Sequence, residues 1–478
     1  MAPQAFKSNE IRRRFLSQRS ISDVHEENFK SQQNLYSSGS NIPDYEKRKT
    51  KICHESRPSL MSSASNWENF SGFINLLKVM LLFANVRLFV ENLVTFGFRI
   101  HVLPSFWELA KDPMHWTNTW IFIEINLFAL VSLHIERQMA QGNLSESTGK
   151  TAHVVNCLLI VIAPCIQVLL APEMPIPSFI SIIFSIVFFL KMWSYAQANR
   201  WYSAKSATVT SENAKQNRKR KRRFSMPTAT GDNDQQVEMM YPNNLTTANL
   251  YYFILAPTLC YEMEYPRTEK VRPYFLFKRL FETLFLFWLM IALIQQWLMP
   301  HMDRAAVDGS ESPQKFLYHL LAMSVSNNIV WFCAFFLIFH SWLNFLAELL
   351  RFGDREFYRD WWNATDVQYF WQAWNIPVHK WCVRHLYKPL LRAGCSKAMT
   401  ACAVFLFSAV MHELFISVPL QRLRFYSFFG MITQIPMQPI TTFIGEKLGP
   451  SYGNMLVWTQ IIIGQPLGVL AYVVDYHS

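Results

Sequence analysis

Charge is scarce in this 478-residue chain: 17% of residues are Asp, Glu, Lys or Arg, against about 25% in soluble globular domains. Cysteine is scarce too. The eight cysteines (Cys53, Cys157, Cys165, Cys260, Cys333, Cys382, Cys395, Cys402) show no C-x-x-C spacing and lie mostly inside apolar runs. That pattern excludes a disulfide scaffold and reads as reduced packing residues. The phosphate-binding and nucleophile motifs G-x-x-x-x-G-K-[ST], G-x-G-x-x-G and G-x-S-x-G are missing, which removes nucleotide hydrolysis, a Rossmann cofactor and an α/β-hydrolase serine. His379 and His385 flank Cys382, but no second cluster at ligand spacing completes a metal site, so no metal and no cofactor are expected. The opening stretch MAPQAFKSNEIRRRFLSQRS has no apolar core of signal-peptide length.

What is abundant is apolar and aromatic. Hydrophobic residues make up 51% and aromatics 15%, with 39 Phe and 16 Trp, and the mean hydropathy of +0.08 averages long apolar stretches with polar ones. Residues 1–70 are rich in Ser, Asn, Lys and Glu and read as a disordered arm. Beyond them, stretches long enough to cross a bilayer run approximately over 72–94, 117–133, 153–171, 174–196, 275–299, 328–350, 398–420, 425–445 and 452–474. The expected fold class is therefore all-α, a polytopic membrane protein of about nine transmembrane helices. Several spans are impure: Lys78, Arg87 and Glu91 in the first, Glu124 in the second, Gln434, Pro436 and Pro439 in the eighth. Such impurity predicts a bundle with a polar interior.

The net charge of +11 is concentrated between spans. The arm, the 197–274 connection with its run from Arg218 to Arg223, and the 351–397 connection hold most of the Lys and Arg. Basic connections stay cytosolic, which puts the N-terminus in the cytosol and, with an odd span count, the C-terminus in the lumen. The sequons starting at Asn69, Asn143, Asn244 and Asn363 all fall on the cytosolic side, where they are not glycosylated. A basic run bounded by membrane spans reads as a loop touching anionic lipid headgroups rather than as a nucleic-acid site. Ser225 beside it has the look of a kinase site but carries no mechanism.

Ionisable residues inside a bilayer are costly, so His412-Glu413 in the otherwise uncharged AMTACAVFLFSAVMHELFISVPL is the most informative pair. An imidazole there can take a proton from an alcohol. Ser408, four residues earlier, shares its helix face and is placed to orient the ring or contact substrate. His340, beside Ser341 and Asn344, fits interhelical hydrogen bonding better than catalysis. The 351–397 segment mixes Trp, Tyr and Phe with Arg359, Lys380, Arg384, Lys388, Arg392 and Lys397. Most of the aromatics read as headgroup anchors, while the cations suit phosphates and some aromatic faces suit a purine. Cys382 as an acyl acceptor is the weaker route, since nothing lowers its pKa.

The blocks FYRDWWN at 357–363, YFWQAWNIPVHKWCVRHLYKPLL, SAVMHELFISVPL, ITQIP and IIIGQP, together with YYFILAPTLCYEMEYPR at 251–267, resemble the membrane-bound O-acyltransferase superfamily in its diacylglycerol-acylating branch. The similarity runs from the first span to the C-terminus. It implies many transmembrane helices around an intramembrane reaction chamber, an endoplasmic reticulum location, and a homodimer or tetramer. It also implies that His412 is the catalytic histidine, with Asn375 and Glu413 as its motif partners. Phe357, Tyr358, Arg359, Asp360, Trp361, Trp362 and Asn363 would shape the acyl-CoA entrance. Trp371, Gln372, Trp374, Val378, His379, Tyr387, Lys388, Lys397 and Ser408 would line the acyl-CoA path, and Gln434, Gln465 and Tyr476 would stand near the reacting groups. Two positions depart from the pattern: Leu414 replaces the usual Tyr after the His-Glu pair, and Ala401 stands where a basic residue would meet CoA phosphate. The expected partners are acyl-CoA, diacylglycerol and membrane lipid, with no nucleic acid. Sterol, retinol, fatty alcohol or monoacylglycerol remain alternative acceptors. A lipid transporter is the non-enzymatic alternative, although no inverted repeat of broken helices is visible.

Overall fold

The structure is a computed structural model that describes residues 71–102, 111, 117–170, 175–221 and 241–477. The arm with its Asn69 sequon, Cys53, Arg222, Arg223 and Ser225 lie outside the described residues. The chain divides into one unit up to Val86 and a second from Arg87 onward. In the first, the described residues begin helix α1 (Ser71–Phe96), where the Asn85 amide donates back to Leu81 O at 2.7 Å.

The second unit continues with α2 (Thr117–Ala140), α3 (Glu146–Leu170), α4 (Pro175–Lys221), α5 (Thr247–Leu255), α6 (Pro273–Leu293), α7 (Met299–Asp308), α8 (Pro313–Phe335), α9 (Leu343–Leu349), α10 (Val367–Trp374), α11 (Ile376–Cys382), α12 (Lys388–Arg392), α13 (Lys397–Leu420), α14 (Tyr426–Ile432), α15 (Gln434–Leu448) and α16 (Pro450–His477). The described residues hold no sheet; their only β feature is an isolated bridge between Arg267 and Phe352. Among the described residues, six helical stretches are long and apolar enough to cross a membrane: Lys78–Phe96, Glu146–Leu170, Pro177–Ser206, Pro313–Leu349, Lys397–Leu420 and Pro450–Tyr476. The expected spans at 117–133 and 275–299 are also long helices, but they carry charge.

The expected eighth span, 425–445, is not one helix. It breaks into α14 and α15 at Thr433. Pro436 has no N–H to offer the carbonyl four residues back and its ring crowds that position, which is Ile432, the last residue of α14. The two pieces follow one another from Tyr426 to Leu448, and proline-interrupted helices are tolerated in membranes. The 197–274 connection, expected to start as a loop, instead begins as helix, because α4 runs on for 47 residues, about 70 Å at ~1.5 Å per residue.

The polar interior inferred from impure spans holds in part. Arg87 and Glu91 face outward and pair with each other at 3.7 Å. Inside, Glu124 accepts from Gln167 Nε2, and Asn156 Nδ2 donates to Ser132 Oγ at 2.8 Å and Phe128 O at 3.0 Å, tying α2 to α3. Buried Lys191 on α4 donates to the carbonyls of Phe253, Ala256 and Thr258 at 2.8–2.9 Å, so the free carbonyls ending α5 find a cation.

The core joins α2, α3 and α4 to the later helices through Ile125, Ile160, Met192, Tyr195, Tyr261, Trp381 and Val418. A second core is aromatic: Phe335, Trp361, Phe370 and Val457 with Trp331, Trp374 and Trp458 packed around them. In three places among the described residues the helical turn widens to π geometry, at Ile294–Leu298, Phe336–Trp342 and Val383–Tyr387. Each presents a polar side chain that its neighbours use: Gln296, His340 and His385.

Candidate active site

α13 starts at a Ser396 cap, whose hydroxyl accepts from Met399 N at 3.2 Å, and ends where Gln421 turns left-handed (φ 54°). His412 sits on it with its side chain exposed. Its Nδ1 lies 2.8 Å from Ser408 O and 3.4 Å from Ser408 Oγ. A carbonyl only accepts, so Nδ1 carries the hydrogen and Nε2 presents a lone pair. The backbone of residue 408 thus sets the tautomer more closely than the Ser408 hydroxyl does.

Glu413 points elsewhere. Its buried carboxylate accepts from Phe425 N at 2.8 Å, Phe428 N at 3.0 Å, Tyr472 O–H at 3.0–3.2 Å and the Ser417 hydroxyl. An ionised carboxylate offers about four acceptor sites, and these donors fill them. Glu413 therefore fixes the turn between α13 and α14, where Phe425 is left-handed (φ 61°), against α16. Those contacts are the ones a residue that positions the turn makes, beside the role the resemblance implies for it.

The 357–363 block forms a short turn whose side chains divide between core and surface. Phe357 and Trp361 are buried, Tyr358 is half-buried, and Arg359, Asp360, Trp362 and Asn363 are exposed. The Tyr358 hydroxyl meets His340 Nδ1 at 2.8 Å, so His340 bonds to the non-helical stretch before Trp361 rather than to a neighbouring helix. Asp360 accepts from the Tyr369 hydroxyl and from Asn363 Nδ2 at 3.4 Å. Trp361 packs edge-on against Trp374 at 5.2 Å, and Trp374 stacks on Trp331 at 4.4 Å. These rings are core, not headgroup anchors, because their apolar area is taken up by other aromatics. The indole N–H groups of Trp361 and Trp371 are buried without a partner among the described residues.

Asn375 links this block to the next helix. Its Oδ1 accepts from Val378 N at 3.1 Å and caps α11, while Phe357 O accepts from Ile376 N at 3.0 Å. Its carbonyl is thereby occupied, whereas Nδ2 has no partner among the described residues. What Asn375 can offer a reactant is a donor. Val378 is exposed beside it, and Gln372 and His379 are half-buried. Burial, and then Arg359, hold His379 below the usual histidine range.

The six cations of the segment are not equivalent. Arg359 pairs with Glu356 at 2.8 Å, Lys380 with Asp354 at 2.9 Å and Arg384 with Glu262 at 3.1 Å. Lys388, Arg392 and Lys397 are exposed and have no acidic partner among the described residues. They follow one another from α12 to the first residue of α13, past half-buried Tyr387. Gln434 opens α15, its Nε2 donating to Gly430 O at 3.3 Å; Gln465 is exposed on α16, and Tyr476 lies under Arg422 at 5.9 Å.

His385 was legible only as one more histidine. It is buried: Nδ1 donates to Gln197 Oε1, Nε2 accepts from Ser194 Oγ at 2.8 Å, and the ring stacks on Trp201 at 5.6 Å. Trp381 Nε1 donates to Leu190 O at 2.8 Å. Together these bonds pin the 351–397 segment to α4, and only the fold reveals them because the partners are about 190 residues away. Burial also pushes the Cys382 thiol up to about 12, against a nucleophilic role.

Comparison with known proteins agrees with this architecture. Residues 113–474 match the membrane-bound O-acyltransferase family. Diacylglycerol O-acyltransferase 1 of Homo sapiens is 41% identical over 427 residues, 89% of this chain and 84% of that protein. The Bos taurus protein of the same name is 42% identical over 432 residues, 89% and 85% of the two chains. That of Dictyostelium discoideum is 35% identical over 420 residues, 87% of this chain and 64% of its own. With His412 and the motif blocks all falling inside the matched stretch, the chain belongs to the membrane-bound O-acyltransferase family.

Proposed function

We propose that the protein transfers a fatty acyl group from acyl-CoA to the free hydroxyl of 1,2-diacylglycerol, making triacylglycerol. The observation that carries the chemistry is the free Nε2 of His412 on a transmembrane helix, its tautomer set by Ser408 O. The relatives named diacylglycerol O-acyltransferase 1 carry the choice of substrates.

In the reaction, Nε2 takes the proton of the acceptor hydroxyl as its oxygen bonds to the thioester carbonyl carbon. Asn375 Nδ2 donates to the developing oxyanion. The C–S bond then breaks, and the imidazolium returns the proton to the departing thiolate, releasing CoA as thiol. Lys388, Arg392 and Lys397 hold the CoA phosphates at the cytosolic face, the three cations with no competing acid. A chamber within the bilayer keeps water from the thioester and brings the two lipid substrates together.

The N-terminus lies in the cytosol and the C-terminus in the lumen of the endoplasmic reticulum, a reading supported by the basic connections. The protein works as a homodimer, as the family resemblance implies. The test is acyl transfer from labelled oleoyl-CoA by purified protein offered diacylglycerol and cholesterol side by side. Labelled triacylglycerol that vanishes in His412→Ala supports the reading, cholesteryl ester as the main product moves the protein to sterol acylation, and no product from folded protein refutes an enzyme.

A further inference from the structure

Away from His412, α2, α3 and α4 line a half-open cavity of about 170 Å³. Its lining is graded in charge. Glu136 and His153 are both buried, with His153 Nε2 2.9 Å from Glu136 Oε1 but neither ring nitrogen in a hydrogen bond among the described residues. Lys150 and Arg200 also line the cavity and are exposed. Arg200 is held by Glu146 at 3.0 Å, while Lys150 has no acidic partner among the described residues. Trp193 supplies an apolar wall.

Position narrows the occupant. Glu136 is four residues before the end of α2 and Lys150 four after the start of α3, so the cavity lies about one helical turn from the 141–145 connection. That is the depth of lipid headgroups rather than of acyl chains. A negative floor behind a positive rim complements a group with a terminal cation and a phosphate next to it. Two acceptors at the floor, a carboxylate and an imidazole nitrogen, suit a cation that donates hydrogen bonds. A primary ammonium has three such donors, and a trimethylammonium has none.

We propose that this cavity binds the phosphoethanolamine headgroup of a membrane phospholipid, its ammonium at Glu136 and His153 and its phosphate at Lys150 and Arg200. The site has a route to the candidate active site. Gln197 lines the cavity and accepts the Nδ1–H of His385, in the segment that grips acyl-CoA. An occupied cavity steadies that grip and lowers KM for acyl-CoA. This coupling, unlike the site itself, rests on the acyltransferase reading.

Native mass spectrometry of the full chain, incubated with equal phosphatidylethanolamine and phosphatidylcholine, reads the site without any activity. At least about fivefold preference for phosphatidylethanolamine is expected, which is about 1 kcal/mol, lost in Glu136→Gln, while Lys150→Glu lowers retention of both lipids. Lys150 is exposed, so that variant stays informative if Glu136→Gln folds poorly. Equal retention of the two lipids, or retention undiminished in Lys150→Glu, overturns the site. In vesicles, KM for oleoyl-CoA is expected to be about threefold lower with phosphatidylethanolamine than with phosphatidylcholine alone, a difference absent from Lys150→Glu. An unchanged KM alongside selective retention overturns the coupling.

Discussion

At the residue scale, the hydrogen bonds assign different consequences to neighbouring side chains. His412→Ala is expected to cut acyl transfer by about 10²–10⁴, the worth of a positioned general base, with the melting curve unmoved. Ser408→Ala keeps the carbonyl at 2.8 Å that sets the tautomer, so it should lose less than about fivefold. If the two variants fell equally, the hydroxyl rather than the backbone would be orienting the ring. Asn375 carries two roles that one substitution separates. Asn375→Asp keeps an oxygen to cap α11 and loses the free N–H, so stability should hold while kcat falls by about 10²–10³, the usual loss for an oxyanion donor. Glu413→Gln should instead appear in the melt, lowering stability by about 1–3 kcal/mol as the turn amides lose their charged acceptor.

At the element scale, α12 and the start of α13 are expected to carry CoA affinity. Replacing Lys388, Arg392 and Lys397 together by Ala should raise KM for acyl-CoA at least about tenfold, given about 1.5–3 kcal/mol for each charged hydrogen bond, and leave kcat nearly unchanged. The same replacement of Arg359, Lys380 and Arg384, which already have acids, should raise it much less.

The π turn at Val383–Tyr387 makes a pH prediction. Burial, and then Arg384, push His385 from 6.5 down to about 3. Between those values the unfolded chain holds the proton and the native one does not, so stability present above about pH 6.5 is lost as pH falls toward 3. Melting of the purified protein from pH 7 to pH 5 should show this slope, and His385→Gln should flatten it while lowering the plateau. An equally steep slope in that variant would assign the acid sensitivity to other groups.

At the scale of the whole molecule, the cores show why one segment serves two ends. The aromatic cluster around Trp361 and Trp374 and the bonds from Trp381 and His385 to α4 hold residues 357–392 as part of the bundle. A cytosolic connection built as a loose loop would spend ordering entropy at each binding event. Held in place, it offers its cations and the Asn375 amide already positioned. The same packing accounts for Gly453, where a Cβ would meet Thr365 O at 2.2 Å. Gly453→Ala is thus expected to push α16 off the turn after Asn363 and to lower both stability and activity, measured by melt and turnover together.

The sequence by itself determined that the chain is a helical membrane protein and that the family is that of the membrane-bound O-acyltransferases, and it singled out His412 as the proposed centre of the chemistry. Scarce charge, long apolar runs and one ionisable pair in an uncharged helix are local properties, and hydrophobic length needs no tertiary partner to be read. Only the tertiary structure decided which way each polar group faces. Glu413 turned out to be filled by turn amides and Asn375 to have its oxygen occupied and its N–H free, while half of the expected phosphate-binding cations were already paired. The broken helix at Thr433 and the buried His385 belong to the same class. A hydrogen bond joins groups that can lie hundreds of residues apart, and its direction depends on a few tenths of an ångström that no spacing along the chain records.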